Sequence, residues 1–363
     1  MDKVGTRQGL SLTVVYYSTV SILTSLARGF YSFATFRFLL GAGESPNWPA
    51  ATKAVSEWFP KHERGLATAF YDSGSSIGGA VGSVLIVWIY RHWGWRPAFV
   101  IPGVLGFLWL ILWRWIYYPP ESHPFVSDAE RALIAADKLE SEAHGVGSAR
   151  PSWKELFKLP QTWGSIIARA FTDPVWFFVT DWFPIYLGTK GFESKTNLFA
   201  YGIPFIAADL GNFFGGIMSG YLIKRGWSLG AARKALVIFG GVGVTMLIPT
   251  VFTTKLPLIA LLFGIATFSY AAFSTIANVL PADLYHGESV ASVSGIGGSA
   301  ASFLTIIAFL LIGPLSDARQ GMAGHSFDPI IIVAGIIPFV GMLLVLLLVR
   351  NNKATEQGLV KQI

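Results

Sequence analysis

Arg37 and Glu44 stand seven residues apart inside an otherwise apolar run, Arg37-Phe-Leu-Leu-Gly-Ala-Gly-Glu44-Ser-Pro46. At about 100° per residue, seven steps return to nearly the same helix face, about 10 Å further along the axis. Gly41 lies between them on that face. A guanidinium keeps its charge and offers a planar fork that fits a carboxylate, and a buried carboxyl can take up or release a proton. Intramembrane charges are costly and normally face a bundle interior or a wet cavity. The alternative is a structural ion pair between helices.

Arg169 and Asp173 form a second constellation, four residues apart and one helical turn on one face, with Trp176 following. They read either as a binding wall in which Trp176 offers its face to a ring, or as a self-satisfied ion pair. Asp209 and Asn212, then Tyr270, Ser274 and Asn278, place polar groups in apolar runs, as do Asp72, Ser75 and Ser76. Such groups suit a polyhydroxylated ligand or bonds between helices; Asp72 reads best as a gating or interhelical contact. The six His show no HExxH pattern and there is no Cys, so no metal site, catalytic residue or thiol chemistry is expected. No glycine loop ends in Lys-Ser/Thr, which argues against nucleotide-driven chemistry and leaves no cofactor but a proton.

The elements that must position these groups are membrane helices. Charged residues are 13% of the 363 residues and hydrophobic residues 53%, about half the charge of a soluble domain. The net charge of +6 sits in loops, so it speaks for topology and a lipid bilayer, not for nucleic acid. Apolar runs near residues 10–27, 33–54, 66–90, 98–117, 163–187, 199–223, 235–251, 256–280, 290–315 and 330–349 give ten predicted spans, four before the longest polar segment and six after it. With Met1 inside, sixteen Lys and Arg fall on the cytoplasmic side and seven opposite, which predicts both termini in the cytoplasm.

Residues 1–118 are expected to form an incomplete N-terminal bundle, 119–160 a cytoplasmic linker with an amphipathic helix, 161–350 a six-helix bundle and 351–363 a tail. Two segments repeat at an offset of about 220 residues. Asp2-Lys-Val-Gly-Thr-Arg7 matches the loop from Lys224 to Lys234, and Gly74-Ser-Ser-Ile-Gly-Gly79 matches Ser294-Gly-Ile-Gly-Gly-Ser299. Two homologous bundles with a site at their interface are the plan of many secondary transporters. Equal halves would need two more helices ahead of residue 1.

With these residues on the page, the chain resembles the major facilitator superfamily, and within it the anion:cation symporters, most closely the bacterial hexuronate and sugar-acid transporters. The loop from Asp2 to Arg7, the run from Arg37 to Pro46, Trp58-Phe-Pro60 with Glu63-Arg-Gly65, Gly74–Gly78, and Gly94-Trp-Arg96 with Ala98-Phe99 carry it in the first half. Arg169 with Thr172-Asp-Pro-Val-Trp176, Gly215-Gly216 and Ala232-Arg-Lys234 carry it in the second. Asp72 departs from the Asn expected at its position, and Ser269–Ile276 lacks the His-Gln pair typical of hexuronate members.

The resemblance implies an all-α polytopic, two-bundle fold with ten helices present (4 + 6) and the first two missing, in a bacterial inner membrane, as a monomer. The expected function is proton-coupled symport of a small organic anion by alternating access. Arg37, Ser75, Ser76, Arg169, Trp176, Tyr270 and Ser274 would bind substrate, Glu44 would carry the proton, and Asp72, Asp173, Asp209, Asn212 and Asn278 would add polar contacts. The alternatives are a non-transporting fragment of such a protein and, more remotely, a membrane-embedded enzyme.

Overall fold

The computed structural model describes residues 2–134, 153–192, 198–285, 289–319 and 326–349, and these are helical with short connections. The first half holds α1 (Thr6–Thr24), α2 (Phe30–Glu44), α3 (Asn47–Trp58), α4 (Arg64–Trp93) and α5 (Pro97–Ile116). The second holds α6 (Pro160–Ala170), α7 (Asp173–Thr189), α8 (Leu198–Lys224), α9 (Leu229–Val244), α10 (Leu256–Leu284), α11 (Val290–Asp317) and α12 (Asp328–Leu348). Among the described residues, five helical stretches are long and apolar enough to cross a membrane: Pro97–Ile116, Leu229–Phe252, Leu256–Leu284, Val290–Asp317 and Asp328–Leu348. α8 is also long but carries Asp209 and Lys224 among its apolar residues.

Two predicted spans are broken. The run 33–54 divides at Ser45-Pro46 into α2 and α3, and the run 163–187 divides at Phe171-Thr172 into α6 and α7. Proline explains both: it lacks an N–H to extend the helix before it, and its fixed φ suits a helix start. Pro46 precedes α3 and Pro174 stands in the first turn of α7. The hydroxyl of Thr172 bonds the Ala168 carbonyl at 2.7 Å, occupying an acceptor that the break would leave open. A third predicted span, 235–251, ends as a 3₁₀ segment, Thr245–Phe252, around Pro249.

The core lies in the second half. Phe183, Tyr186, Phe263, Leu247, Phe327 and Ile331 are fully buried where α7, α10, the 3₁₀ segment and α12 meet. α8 and α10 pack backbone to backbone: a Cβ on Gly211 would lie within van der Waals overlap of the Phe268 carbonyl, and one on Gly215 would meet Ala272 at 2.9 Å. In the first half α1 packs on α5 and α2, and Gly103 and Gly106 of α5 admit Ile22 and Ser18. The small residues of the Gly74–Gly79 repeat do not mark a close helix contact: Gly74 and Gly78 have nothing within 4 Å of a Cβ. In the matching segment of the second half, Gly297 and Gly298 make room for Arg169: a Cβ on them would lie 3.5 Å from its Cδ and 3.2 Å from its Nη1.

The halves join through α3 and α4 on one side and α8, α10 and α11 on the other. The linker begins with a 3₁₀ turn, Pro120–Ser122, and a helix over 128–134 whose start is capped by the Ser127 hydroxyl accepting from Glu130 N–H. The rest of the predicted amphipathic helix, and the tail, lie outside the described residues.

Candidate functional site

Three polar groupings stand out. The first closes one end of the molecule, the end rich in Lys and Arg. There the backbones of α4 and α8 touch at Gly65 and Gly216; a Cβ on Gly216 would come within 2.5 Å of the Gly65 carbonyl oxygen. Asp283, at the end of α10, accepts from Arg233 Nε at 2.8 Å and pairs with Arg64 Nη1 at 3.5 Å. Arg64 also donates to the Ala282 carbonyl at 2.7 Å, and Arg233 to the Lys61 carbonyl at 3.0 Å. Both arginines are buried. A buried guanidinium is tolerable only when charge and hydrogen bonds are both met; Arg233 has Asp283 and Ser219 on its own half, whereas Arg64 reaches Asp283 and the Ala282 carbonyl only while the halves are together.

Asp2 makes a second stitch at this end. Its carboxylate accepts from Ser292 N–H at 2.8 Å, Ala291 N–H at 3.3 Å and the Ser292 hydroxyl at 2.6 Å, so it caps the start of α11. An anion at a helix N-terminus meets unbonded N–H groups and the positive end of the dipole. Lys53 pairs with Asp2 at 3.4 Å and lies 3.9 Å from Glu57, which accepts from Thr6 and Tyr117, each at 2.8 Å. Burial, and then the Glu57 charge, raise the Tyr117 phenol above its usual range, so it stays the donor in that bond.

The second grouping lies deeper, between the halves. Asp72 of α4, 5% exposed, receives the Asn278 amide of α10 at 3.3 and 3.4 Å across 206 positions of sequence. Arg169, at the end of α6, donates to Asp173 at 3.0 Å and to the Ser294 carbonyl at 3.5 Å; its Nε has no hydrogen-bond partner among the described residues. Asp72, Asp173 and Arg169 lie within Coulombic range of one another. Trp176 stacks parallel to Tyr270, with ring centroids 5.9 Å apart and planes 4° apart, and Ser274 lies one turn further along α10, buried. The break between α6 and α7 puts Arg169 and Trp176 on the same side, and α10 brings Tyr270, Ser274 and Asn278 to it.

Arg37 and Glu44 form the third grouping, and the structure keeps it apart from the second. Both side chains are exposed on α2, which packs mainly on α1; Arg37 lies over the rings of Phe33 and Phe99 at 5.4 and 5.1 Å. Gly41 has nothing within 4 Å of a Cβ. No described contact carries either residue to the second half. The extensive contacts between halves belong to α3, after the Ser45-Pro46 break, and to α4.

The remaining predicted residues are placed as follows. Ser75 is exposed and donates to the Asp72 carbonyl at 2.9 Å; the side chain of Ser76 is outside those described. Asn212 accepts from the Thr275 hydroxyl at 3.1 Å, tying α8 to α10, and Asp209 is half-buried on α8. Sequence reasoning missed Asp2, Lys53 and Asp283. A lysine inside the apolar run 33–54 and an aspartate after Pro281 at the end of a span were the available signals. A surface groove of about 760 Å³ lies elsewhere: it runs between α1 and α5 and is lined by Leu12, Val15, Leu110, Ile111, Arg114 and Trp115.

Two helical halves, pinned at one end by shared ions and holding a buried cation beside stacked rings at their seam, are the arrangement of a multi-pass membrane protein with its polar site between two bundles. The sequence profile of the Major Facilitator Superfamily matches residues 1–309, and the chain belongs to that superfamily. It is therefore a transporter and not an enzyme. It is 30% identical over 363 residues to the hexuronate transporter of Escherichia coli strain K12, which covers 98% of this chain and 81% of that protein. It is 29% identical to the D-galactonate transporter of Escherichia coli O6:H1 (97% and 82%) and 28% identical to a probable galactarate/D-glucarate transporter of Bacillus subtilis strain 168 (97% and 79%). Among solved structures the fold is similar to the proton:xylose symporter XylE, with TM-score 0.70 and 16% identity over 96% of this chain and 81% of that one. It is also similar to the human organic anion transporter MFSD10, with TM-score 0.65 and 14% identity over 94% and 77%.

Proposed function

We propose that this chain is a proton-coupled symporter of sugar acids, taking up a carboxylate-bearing, polyhydroxylated anion by alternating access. The observation that carries the reading is Arg169. It is a buried guanidinium with an unfilled N–H, beside a parallel Trp176–Tyr270 pair, in the seam between halves. Guanidinium to carboxylate and ring face to sugar face is the recognition chemistry such a substrate needs. Relatives that are hexuronate, galactonate and glucarate transporters support the substrate class.

Arg37 and Glu44, exposed on α2 and apart from the seam, are proposed as the cation that meets the anion before it reaches Arg169 and as a proton carrier on the same helix. A proton moving with a monovalent anion cancels its charge against the membrane potential, which acts with about 2.3 kcal/mol per charge per 100 mV.

The test is uptake of radiolabelled D-galacturonate and D-galactonate into vesicles carrying the protein under an inward proton gradient. Accumulation should depend on the gradient and fall sharply in Arg169→Ala and in Glu44→Gln. Absence of uptake for every sugar acid, or full affinity in both Arg169→Ala and Trp176→Ala, would overturn the reading.

A further inference from the structure

The charges in the seam do not balance. Arg169 is already matched by Asp173 at 3.0 Å, whereas Asp72 has only the neutral Asn278 amide. Two carboxylates face one guanidinium in a buried space, an excess of one negative charge.

Among the described residues, the elements packed around Asp72 do not supply the missing cation. From α10 come Asn278 and Tyr270; the α6–α7 break brings Arg169 and Asp173; α4 itself brings Tyr71. On α3, Lys53 is engaged with Asp2 and Glu57, and Thr52 bonds Ser294. Arg64 is held at Asp283. α8 offers Asn212, which is bonded to Thr275, and the acidic Asp209. α5 has no charged residue between Arg96 and Arg114. A uronate entering beside Arg169 would raise the excess to two negative charges, and at low dielectric such like-charge crowding is strongly unfavourable.

We propose that Asp72 is a coupling residue in its own right: its carboxyl takes up one proton when an anionic substrate enters beside Arg169, and releases it when the Asp72–Asn278 contact between the halves opens. This rests on the sugar-acid reading above for the nature of the anion, and on the seam geometry for the proton. The contact weakens when the proton arrives, because a hydrogen bond to an ionised carboxylate is about twice as strong as a neutral one. The Asn278 amide donates to the carboxylate; with Asp72 protonated, the carboxyl O–H donates to the amide oxygen after the amide turns over. The proton comes from water on the side open to substrate. Asp72 lies about two turns, roughly 10 Å, along α4 from the Gly65–Gly216 contact, so parting of that end wets the carboxyl and lets the proton leave.

Two readouts on the full chain test it, each made in a Glu44→Gln background that serves as the wild-type reference, so that the proton assigned to Glu44 does not enter. D-Galacturonate binding is followed by calorimetry between pH 5 and 8. One linked proton makes wild-type affinity fall about tenfold per pH unit once Asp72 is ionised. Asp72→Asn, a permanent mimic of the protonated form, should bind at high pH at least as tightly as wild type does at low pH, with no pH slope; Asp72→Glu should restore the slope. Because the chain has no cysteine, a spin-label pair at Phe59→Cys and Trp227→Cys can report separation of the basic end without other replacements. Its distance distribution should shift with pH in the Asp72 protein and not in Asp72→Asn.

A pH slope retained in Asp72→Asn, in binding or in distance, overturns the proposal. So does relief of the high-pH loss by sodium at fixed pH, which would make a metal ion the missing charge. If no sugar acid binds wild type at any pH, the substrate reading fails, and the spin-label comparison still decides the role of Asp72. Should Asp72→Asn fail to fold, Asn278→Ala replaces it: the carboxyl stays titratable, so binding keeps its slope, while the distance response to pH is lost. A distance response unchanged in Asn278→Ala refutes the latch.

Discussion

Gly216→Ala offers a direct handle on the closed end of the molecule. A Cβ there meets Gly65 O at 2.5 Å, Gly65 C at 2.8 Å and Leu66 Cα at 3.0 Å, all on the facing helix. No side-chain rotation relieves the clash, because the neighbours are backbone. Ordinary contact begins near 3.4 Å, so α4 and α8 must separate by about 0.9 Å. Overpacking of this kind costs about 1–3 kcal/mol. The cost falls only on the arrangement in which the two helices touch, so it shifts the equilibrium toward the separated arrangement by about 5- to 150-fold. The assay is the distance distribution between spin labels at Phe59→Cys and Trp227→Cys, with and without Gly216→Ala. Gly211→Ala is the control: its clash is with Phe268, inside the second half. It should lower thermal stability and leave the distribution unchanged. Identical distributions in a folded Gly216→Ala protein would refute the claim that this contact gates access.

Asp283→Asn should act on the same end. It leaves Arg64 and Arg233 buried without their shared carboxylate, a class of change that costs about 3–5 kcal/mol, and the basic-end separation should grow with a lower melting temperature. Trp176→Ala should lower sugar-acid affinity about tenfold or more while leaving the fold intact, because Tyr270 still fills its side of the seam. Calorimetric titration reads the first effect and circular dichroism the second.

Much of the architecture was legible because hydrocarbon leaves few options: long apolar runs must be helices, and a Pro within one must break or start it. Ser45-Pro46 and Thr172-Asp-Pro174 carried that signal, although the runs were read as continuous. Charge spacing on a single helix was legible too, and Arg169–Asp173 is paired one turn apart. Partners across the seam were not. Nothing local to Asp72 points to Asn278, and nothing local to Asp2 points to Ser292, since those contacts are made by the packing of helices far apart in sequence. Arg37 and Glu44 show the converse limit. Helical periodicity places them on one face, but it does not say what that face meets, and here it is exposed.

The sharing of Asp283 is unequal. Arg233, on its own half, holds it at 2.8 Å, while Arg64 reaches it from across the seam at 3.5 Å. Were the halves to part, the carboxylate would stay with Arg233, and Arg64 would keep the Phe59 carbonyl that it bonds at 3.0 Å on its own half while losing Asp283. The newly formed vestibule would therefore be cationic on one wall. Solute anions would reach it by electrostatic attraction, and added salt should slow that capture.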